Sequence, residues 1–233
     1  MNLIIEISFV FFVGAVGGWF IELIYRRIFS AKKWINPGFL NGPWLPLYGF
    51  GLGLLYLISS IKVVDNVVLN NVIIIVIMFV AMTLIEFVAG YIFILTLHIK
   101  LWDYSKRWGN YKGIVCPLFS LFWGLAGTAY FFLLHPLISK GVHALYGNTI
   151  YLFLIGIVIG IFIIDNAISF NVAAKIRKFA KESKIVVHYE ELKESISNSL
   201  KEIKKRSNFL LPFKSTFSPR EIIEKYKETH SNK

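Results

Sequence analysis

Charge is scarce in this sequence. Only 17% of its 233 residues are charged and 56% are hydrophobic, whereas a typical globular domain carries about 25% charged residues. The single cysteine, Cys116, excludes an internal disulfide, and its apolar surroundings indicate a buried, unreactive thiol. The chain also has no Walker A lysine motif, no HExxH pair and no CxxC pair. Any step driven by ATP would therefore need another subunit.

Long apolar segments take the place of the missing charge. A helix needs about 20 apolar residues to cross a bilayer, and five segments approach or exceed that length: 4–25, 44–61, 72–98, 114–134 and 150–170. The first lacks a basic region before it and is followed by Arg26 and Arg27, which indicates a retained helix rather than a signal peptide. His135-Pro136 marks the predicted end of the fourth helix. The sequence thus predicts an all-α, polytopic membrane helix bundle with five transmembrane helices, which form a domain over residues 1–170.

The basic residues are unevenly placed. Residues 171–233 contain 15 basic and 8 acidic residues, which is +7 of the net charge of +11. Four basic residues lie between predicted helices 1 and 2 and four between helices 3 and 4, against only Lys62 and Lys140 on the other side. The positive-inside rule then predicts the N-terminus outside and the C-terminus inside. In a multi-pass cell membrane protein this charge predicts anionic lipid headgroups as partners, and no nucleic acid.

The segment 171–233 is predicted to be a soluble, basic, helical tail in the cytoplasm. Its first residues extend the fifth helix, and Leu192, Ile196, Leu200 and Ile203 recur at helical spacing. A further helix start is predicted at Ser218, with Glu221 at the capping-box position. The tail either binds a membrane surface or a partner, or packs on the chain's own loops.

Two stretches resemble each other. GPWLPLYG begins at Gly42 and GIVCPLFS begins at Gly113, and each follows a basic loop. The helices before them carry Glu22 and Glu86 in matching Ile-Glu contexts. This pattern predicts a parallel repeat of helices 1–2 and 3–4, with a site at the repeat interface. The alternative is chance agreement, since both helix starts need glycine and proline.

Acidic residues inside apolar segments are the first candidates for function, because an ionised carboxylate is costly in a bilayer. Glu22 has the simpler alternative of an ion pair with Arg26, one helical turn away. Glu86 has no basic residue nearby in sequence. We expect these two, with Asp165 and with Asp103 of the loop, to line a cytoplasm-facing pocket that suits a cation, a proton relay or a hard metal. No cofactor is predicted, and a divalent cation is left open.

Polar and aromatic residues near these acids extend the candidate site. Those added to the pocket are Asn41, Tyr48, Trp102, Tyr104, Ser105 and Asn110; the aromatic ones also suit an interfacial belt. An anion site is a second hypothesis, because free N–H groups at helix starts attract anions and cations lie nearby. It comprises Gly42, Gly113, Lys106, Arg107 and Lys112.

The combination of GFLNGPWLPLYGFG with WDYS, Asn110, Gly113 and CP resembles the bacterial membrane family known as ABC-transporter type IV, or CmpB-like permeases. The resemblance covers residues 38–124 well and residues 22–165 as a whole, but not the tail. It implies a transport function. The matching motif residues are Asn41, Gly42, Pro43, Pro46, Tyr48 and Gly49, then Trp102, Asp103, Tyr104, Ser105, Asn110 and Gly113.

Three functions remain open at this point. The first is a permease-like transport component with a polar, cytoplasm-facing cavity lined by carboxylates. The second is a membrane-embedded enzyme acting on a lipid or a lipid-linked phosphorylated headgroup. The third is a non-catalytic membrane adaptor or sensor that acts through its tail. Because five helices are few for a transporter, the first implies an ATPase subunit or a homo-oligomer.

Overall fold

The computed structural model describes residues 3–29, 32, 34, 36–147, 149–182, 186–189 and 191–192. Most of these residues are helical. The helices are α1 (Leu3–Phe29), α2 (Pro46–Ser59), α3 (Val67–Leu97), α4 (Pro117–Ala129), α5 (His135–Leu145) and α6 (Thr149–Glu182), with a π-helical turn, Tyr130–Leu134, between α4 and α5. Two short strands, β1 (Ile99–Lys100) and β2 (Val187–His188), pair in parallel.

The prediction of an all-α membrane helix bundle is confirmed. Among the described residues, four helical stretches are long and apolar enough to cross a bilayer: Leu3–Phe29, Val67–Leu97, Pro117–Leu145 and Thr149–Lys178. The fifth apolar segment differs from the expectation of a full span, because α2 has only 14 residues. At about 1.5 Å per residue it is about 21 Å long, against a hydrocarbon core of about 30 Å.

Helix α2 begins beside the middle of α1. The Leu45 amide, one residue before α2, donates a hydrogen bond of 2.9 Å to the Ala15 carbonyl oxygen. Ala15 precedes the end of α1 at Phe29 by 14 residues, or about 21 Å. Before α2 the chain is non-helical over residues 36–45, which we call the re-entrant segment. Leu40 and Trp44 of this segment are buried.

Glycines allow α1 and α2 to pack closely. The Gly14-x-x-x-Gly18 pattern permits close approach of two helices, and both glycines face α2. A Cβ atom on Gly14 would lie 2.7 Å from both the Tyr48 carbonyl oxygen and the Leu52 Cβ, and one on Gly18 would collide with the Tyr48 side chain. The α1–α2 and α3–α4 interfaces are the two most extensive between helices, and they are the two predicted helix pairs.

The predicted helix end at His135-Pro136 is wrong, because the helical chain continues to Leu145. Proline has no N–H and would leave a carbonyl in the preceding turn without its partner. The π-helical turn immediately before it, Tyr130–Leu134, changes the hydrogen-bond register at this place. The Tyr130 hydroxyl and His135 Nδ1 lie 2.9 Å apart and connect the turn to α5.

The first described residues after α6 fold back onto the bundle. α6 extends to Glu182, as predicted, and passes the expected domain boundary at residue 170 without a break. Val187 of β2 then pairs with Ile99 of β1, and both are buried with Ile176 and Leu192 in one apolar cluster. This strand pairing was not expected from the sequence. The helices predicted through Ile196, Leu200 and Ile203 and from Ser218 to Glu221 lie outside the described residues.

The close α1–α2 contact gives a testable prediction. Gly14→Ala should destabilise the protein by about 1–3 kcal/mol, because the new methyl group meets backbone as well as side-chain atoms. Thermal unfolding of the detergent-solubilised chain should then begin several degrees lower. Gly17→Ala is the matched control, since nothing lies within 4 Å of its Cβ position. Equal melting temperatures for the two variants would contradict this packing.

Candidate functional site

A cavity of about 410 Å³ lies between the re-entrant segment and helices α1, α2, α3, α4 and α6. We call it the central cavity. Its charged wall residues are Glu22, Arg26 and Glu86. A larger groove of about 550 Å³ is lined by apolar residues of α1, α2, α3 and α6 with Ser8 as the one polar side chain. The groups able to do chemistry are therefore on the central cavity.

Glu22 has partners for both carboxylate oxygens. Arg26 Nε lies 3.0 Å from Oε1, so the ion pair considered from the sequence is present. The Tyr48 hydroxyl donates to Oε2 over 3.3 Å. Tyr48 comes two residues after the proline that starts α2, and it lines the central cavity together with Glu22. Glu22 is thus both paired and part of the wall.

Glu86 is satisfied at one oxygen only. Its residue is 2% exposed, and the Tyr104 hydroxyl donates to Oε1 over 3.0 Å. Oε2 is buried and has no hydrogen-bond partner among the described residues. The Trp123 side chain lies near enough to act as a hydrogen-bond donor to this carboxylate, although no bond to Oε2 meets hydrogen-bond geometry. Glu86 precedes the end of α3 by 11 residues, or about 16 Å, so this oxygen lies well inside the span.

Tyr104 reaches Glu86 from the loop that connects α3 to α4. Its ring stacks on Phe119 of α4 with centroids 4.3 Å apart. Burial and the neighbouring Glu86 carboxylate raise the pKa of the Tyr104 hydroxyl far above its usual range. It is therefore a neutral hydrogen-bond donor. Each helix pair has one such carboxylate on its first helix, Glu22 on α1 and Glu86 on α3. The tyrosine that donates to it is Tyr48 of α2 in the first pair and Tyr104 of the connecting loop in the second pair.

Asp165 holds the re-entrant segment rather than lining the central cavity. Its carboxylate accepts hydrogen bonds from the amides of Asn41 and Gly42, at 3.1 and 2.8 Å, and from the Asn41 side chain at 3.2 Å. Ser169 donates to the same carboxylate. A side chain at Gly42 would collide with the Trp44 indole. Asp165 of α6 therefore fixes a segment more than 120 residues earlier in the chain.

Asp103 organises its own loop and also lies off the cavity. It pairs with Lys100 Nζ at 2.6 Å and accepts from the Ser105 amide and hydroxyl. Partial burial opposes its ionisation, but the bonds from Lys100 and Ser105 lower its pKa to about 2. Asn110 donates to the Ser105 and Arg107 carbonyls and accepts from the Gly113 amide. The conformation of this loop thus rests on residues that were candidates for the pocket.

The hypothesis of anion-binding helix starts at Gly42 and Gly113 needs correction. The helices begin four residues later, at Pro46 and Pro117, because proline fits the first helical position. The Gly42 amide is bonded to Asp165 and the Gly113 amide to Asn110. Lys106 and Arg107 are exposed, and Lys112 Nζ lies 4.8 Å from the Tyr91 ring centroid. None of these five residues lines the central cavity.

Of the other expected site residues, Trp102 lines the central cavity and donates from its indole to the Ile114 carbonyl. The structure also adds residues that the sequence did not single out: Asn36, Trp123 and Tyr189. Asn36 accepts from the Trp19 indole and donates to the Leu40 and Asn41 carbonyls. Its place in a stretch rich in Gly, Asn and Pro was a usable signal. Tyr189 had no such signal, since its hydroxyl donates to the Phe39 carbonyl 150 residues away.

Another buried acid, Glu6, lies near the start of α1, at the end of the helix opposite to Glu22. Glu6 is 6% exposed and accepts hydrogen bonds from the Tyr56 and Tyr146 hydroxyls, at 3.3 and 3.1 Å. These bonds tie α1 to α2 and to the end of α5. Within the described part of the chain, no three His, Cys, Asp or Glu side chains come together so as to hold a metal ion.

Comparison with known proteins gives one match. The model of a family described as "Putative ABC-transporter type IV" matches residues 9–170, which is more than half of the chain. The match contains both loop motifs, all the acids of the candidate site and most of α6. No curated protein and no solved structure matches the chain.

The position of Asp165 gives a testable prediction. Asp165→Ala leaves the part-buried amides of Asn41 and Gly42 without their acceptor, and we expect the loss of the two bonds to destabilise the protein by about 1–3 kcal/mol in total. We expect lower thermal stability and faster proteolysis within the re-entrant segment. Asp65→Ala is the control, because the Asp65 side chain is fully exposed and pairs only with Lys62. An Asp165→Ala protein as stable and protease-resistant as the control would contradict a structural role.

Proposed function

Because the chain belongs to the family described as "Putative ABC-transporter type IV", we propose that it is a permease-like transport component that holds its solute in the central cavity. Its four long apolar helices and its family make it a multi-pass membrane protein related to transport. The proposal adds the place of binding and the side from which the solute enters.

The observation that carries the proposal is Glu86. A carboxylate inside a membrane span is expensive, and such residues face a bundle interior or a water-filled cavity where they bind solutes or ions. Glu86 is 2% exposed, lies on the wall of the central cavity and keeps one oxygen without a partner among the described residues. A residue serving only the fold would be expected to have both oxygens bonded, as Glu6 and Glu22 have.

The backbone around the cavity supports the same function. Non-helical backbone at membrane depth is tolerated where it is buried in protein or lines a cavity. Transporters place substrate sites at such discontinuous helices. The re-entrant segment and the shortened α2 form this kind of wall, with Pro37, Leu40 and Leu45 on the central cavity.

The cavity is proposed to open toward the cytoplasm. It lies in the half of the bundle that contains the end of α1 and the end of α3, where the basic loops begin. The positive-inside rule assigns that half to the cytoplasmic leaflet, together with the basic tail and its anionic lipid partners.

A transport component of this size is proposed to work with partners. The chain carries no nucleotide-binding motif, so an ATPase subunit would supply any ATP-driven step. A homo-oligomer is the second arrangement. Gly156 and Gly160 on α6 are spaced as in helix-dimer motifs, and nothing lies within 4 Å of their Cβ positions.

The geometry favours transport over the two alternatives. An enzyme acting on lipid headgroups was expected to use Asp103, but that carboxylate is bonded within its loop and does not line the cavity. One observation supports an adaptor that works through its tail: Tyr189 lines the cavity and donates a hydrogen bond to the Phe39 carbonyl. That contact fits equally well with a tail that closes a transport site.

The proposed orientation can be tested with single cysteines in a Cys116→Ala background, since Cys116 is buried. Trp108 is 87% exposed in the loop between α3 and α4, and the Asp65 side chain is fully exposed in the loop between α2 and α3. A membrane-impermeant maleimide should label Trp108→Cys only in inside-out vesicles. It should label Asp65→Cys only in intact cells. The reverse pattern would place the cavity on the outer side.

Transport itself can be tested by the solute content of cells. Cells with the chain should differ from cells without it in at least one small solute, measured by mass spectrometry after uptake of a defined mixture of amines, amino acids, sugars and organic acids. Glu86→Gln should reduce that difference by about tenfold or more, the effect of about 1.4 kcal/mol of lost binding.

Glu6→Gln is the matched control for this experiment, because Glu6 is also a buried carboxylate of a membrane helix but lies away from the central cavity. It should keep the solute difference at equal protein level. A solute difference that survives Glu86→Gln, or that Glu6→Gln abolishes equally, would argue against the central cavity as the transport site.

A further inference from the structure

The charges on the central cavity do not cancel. Its wall has two carboxylates, Glu22 and Glu86, and one guanidinium, Arg26. Arg26 is bonded to Glu22 at 3.0 Å, and the ion pairs of the described residues do not include Glu86. The remaining polar side chains of the wall are neutral. The cavity therefore carries one negative charge whenever Glu86 is ionised, and that charge has no counter-ion in the described part of the chain.

Aromatic rings surround this charge. Ten of the 22 residues that line the cavity are Phe, Tyr or Trp. Three of them come close to Glu86: Tyr104 by a hydrogen bond, Trp123 beside the carboxylate, and Tyr48, whose ring centroid lies 5.3 Å from that of Trp123. Rings of this kind attract cations through their negative faces, and cages of them recognise methylated ammonium groups.

Other classes of ligand fit this wall less well. A hard metal ion takes six or more oxygen ligands, and the described residues bring no three potential metal ligands together. A proton would neutralise the Glu86 carboxylate but would not need a cavity of about 410 Å³. An anion would have to bind next to two carboxylates, with Arg26 already bonded to Glu22.

We propose that the central cavity binds an organic monocation, an amine or a quaternary ammonium compound, with the Glu86 carboxylate as its counter-charge and Tyr48, Tyr104 and Trp123 as its aromatic wall. This assignment rests on the proposed function and names the solute class for it. The volume suits a small organic molecule. Asn166, on the cavity wall from α6, adds an amide that can orient a polar substituent.

The proposal is tested by binding to the purified full chain in lipid nanodiscs, read by isothermal titration calorimetry. The probes are tetraethylammonium, choline, and the neutral analogue of choline in which carbon replaces the quaternary nitrogen. The last two have the same shape, so their difference measures the charge alone. We expect at least one cation to bind, and choline to bind about tenfold more tightly than its neutral analogue, which corresponds to about 1.4 kcal/mol.

Two pairs of variants locate the site. Glu86→Gln should remove the preference for the charged probe, whereas Glu6→Gln should keep it. Trp123→Leu should weaken cation binding several-fold while it leaves the neutral analogue nearly unchanged, and Trp108→Leu, at an 87% exposed position, should change neither. The comparison of charged and neutral probes on the unmodified chain decides the question even if Glu86→Gln does not fold.

The outcomes separate this inference from the proposed function. Equal affinity for choline and its neutral analogue, or an unchanged preference in a folded Glu86→Gln protein, overturns the cation assignment. Glu86-dependent accumulation of a sugar or an organic acid by cells, with no cation binding, also overturns it and leaves the transport function standing. Tight, Glu86-dependent cation binding without any solute difference between cells upholds the assignment and overturns the transport function.

Discussion

Backbone that enters a membrane without forming a helix must find its hydrogen-bond partners within the protein, and this constraint shapes the whole bundle. The re-entrant segment meets it through several contacts. Asp165 of α6 accepts the amides of Asn41 and Gly42, Asn36 binds carbonyls of its own segment, and Ala15 of α1 accepts the Leu45 amide. With the segment held in this way, α2 can start at half the depth of α1. The re-entrant segment and the start of α2 form part of the wall of the central cavity.

The two helix pairs contain similar glutamate–tyrosine contacts, but the two glutamates differ in their other partners. Both place a glutamate on the first helix and a tyrosine hydroxyl against it, Tyr48 for Glu22 and Tyr104 for Glu86. Arg26 then neutralises Glu22, one turn away on the same helix. Nothing in the described structure does the same for Glu86. The two resembling stretches thus contain one carboxylate that is ion-paired and one that has no counter-ion among the described residues.

The chain after α6 joins the tail to this site. Parallel pairing of β2 with β1 brings Tyr189 over the re-entrant segment, where it lines the cavity and donates to the Phe39 carbonyl. Two-residue strands contribute few hydrogen bonds, so the contact depends on the apolar cluster of Ile99, Ala173, Ile176, Val187 and Leu192 beneath it.

The sequence by itself determined features that depend on residues close together in the chain. Apolar length and proline positions placed the helices, charge asymmetry suggested the orientation, and the rarity of acids in apolar segments pointed to Glu22 and Glu86. The tertiary structure decided which acids share a cavity, and it left Asp103 and Asp165 to hold loops. It also decided the depth at which α2 begins and the role of Tyr189. These features could not be read from spacing, because they join residues as distant as Asn41 and Asp165 or Phe39 and Tyr189, and only the packing of whole helices brings such pairs together.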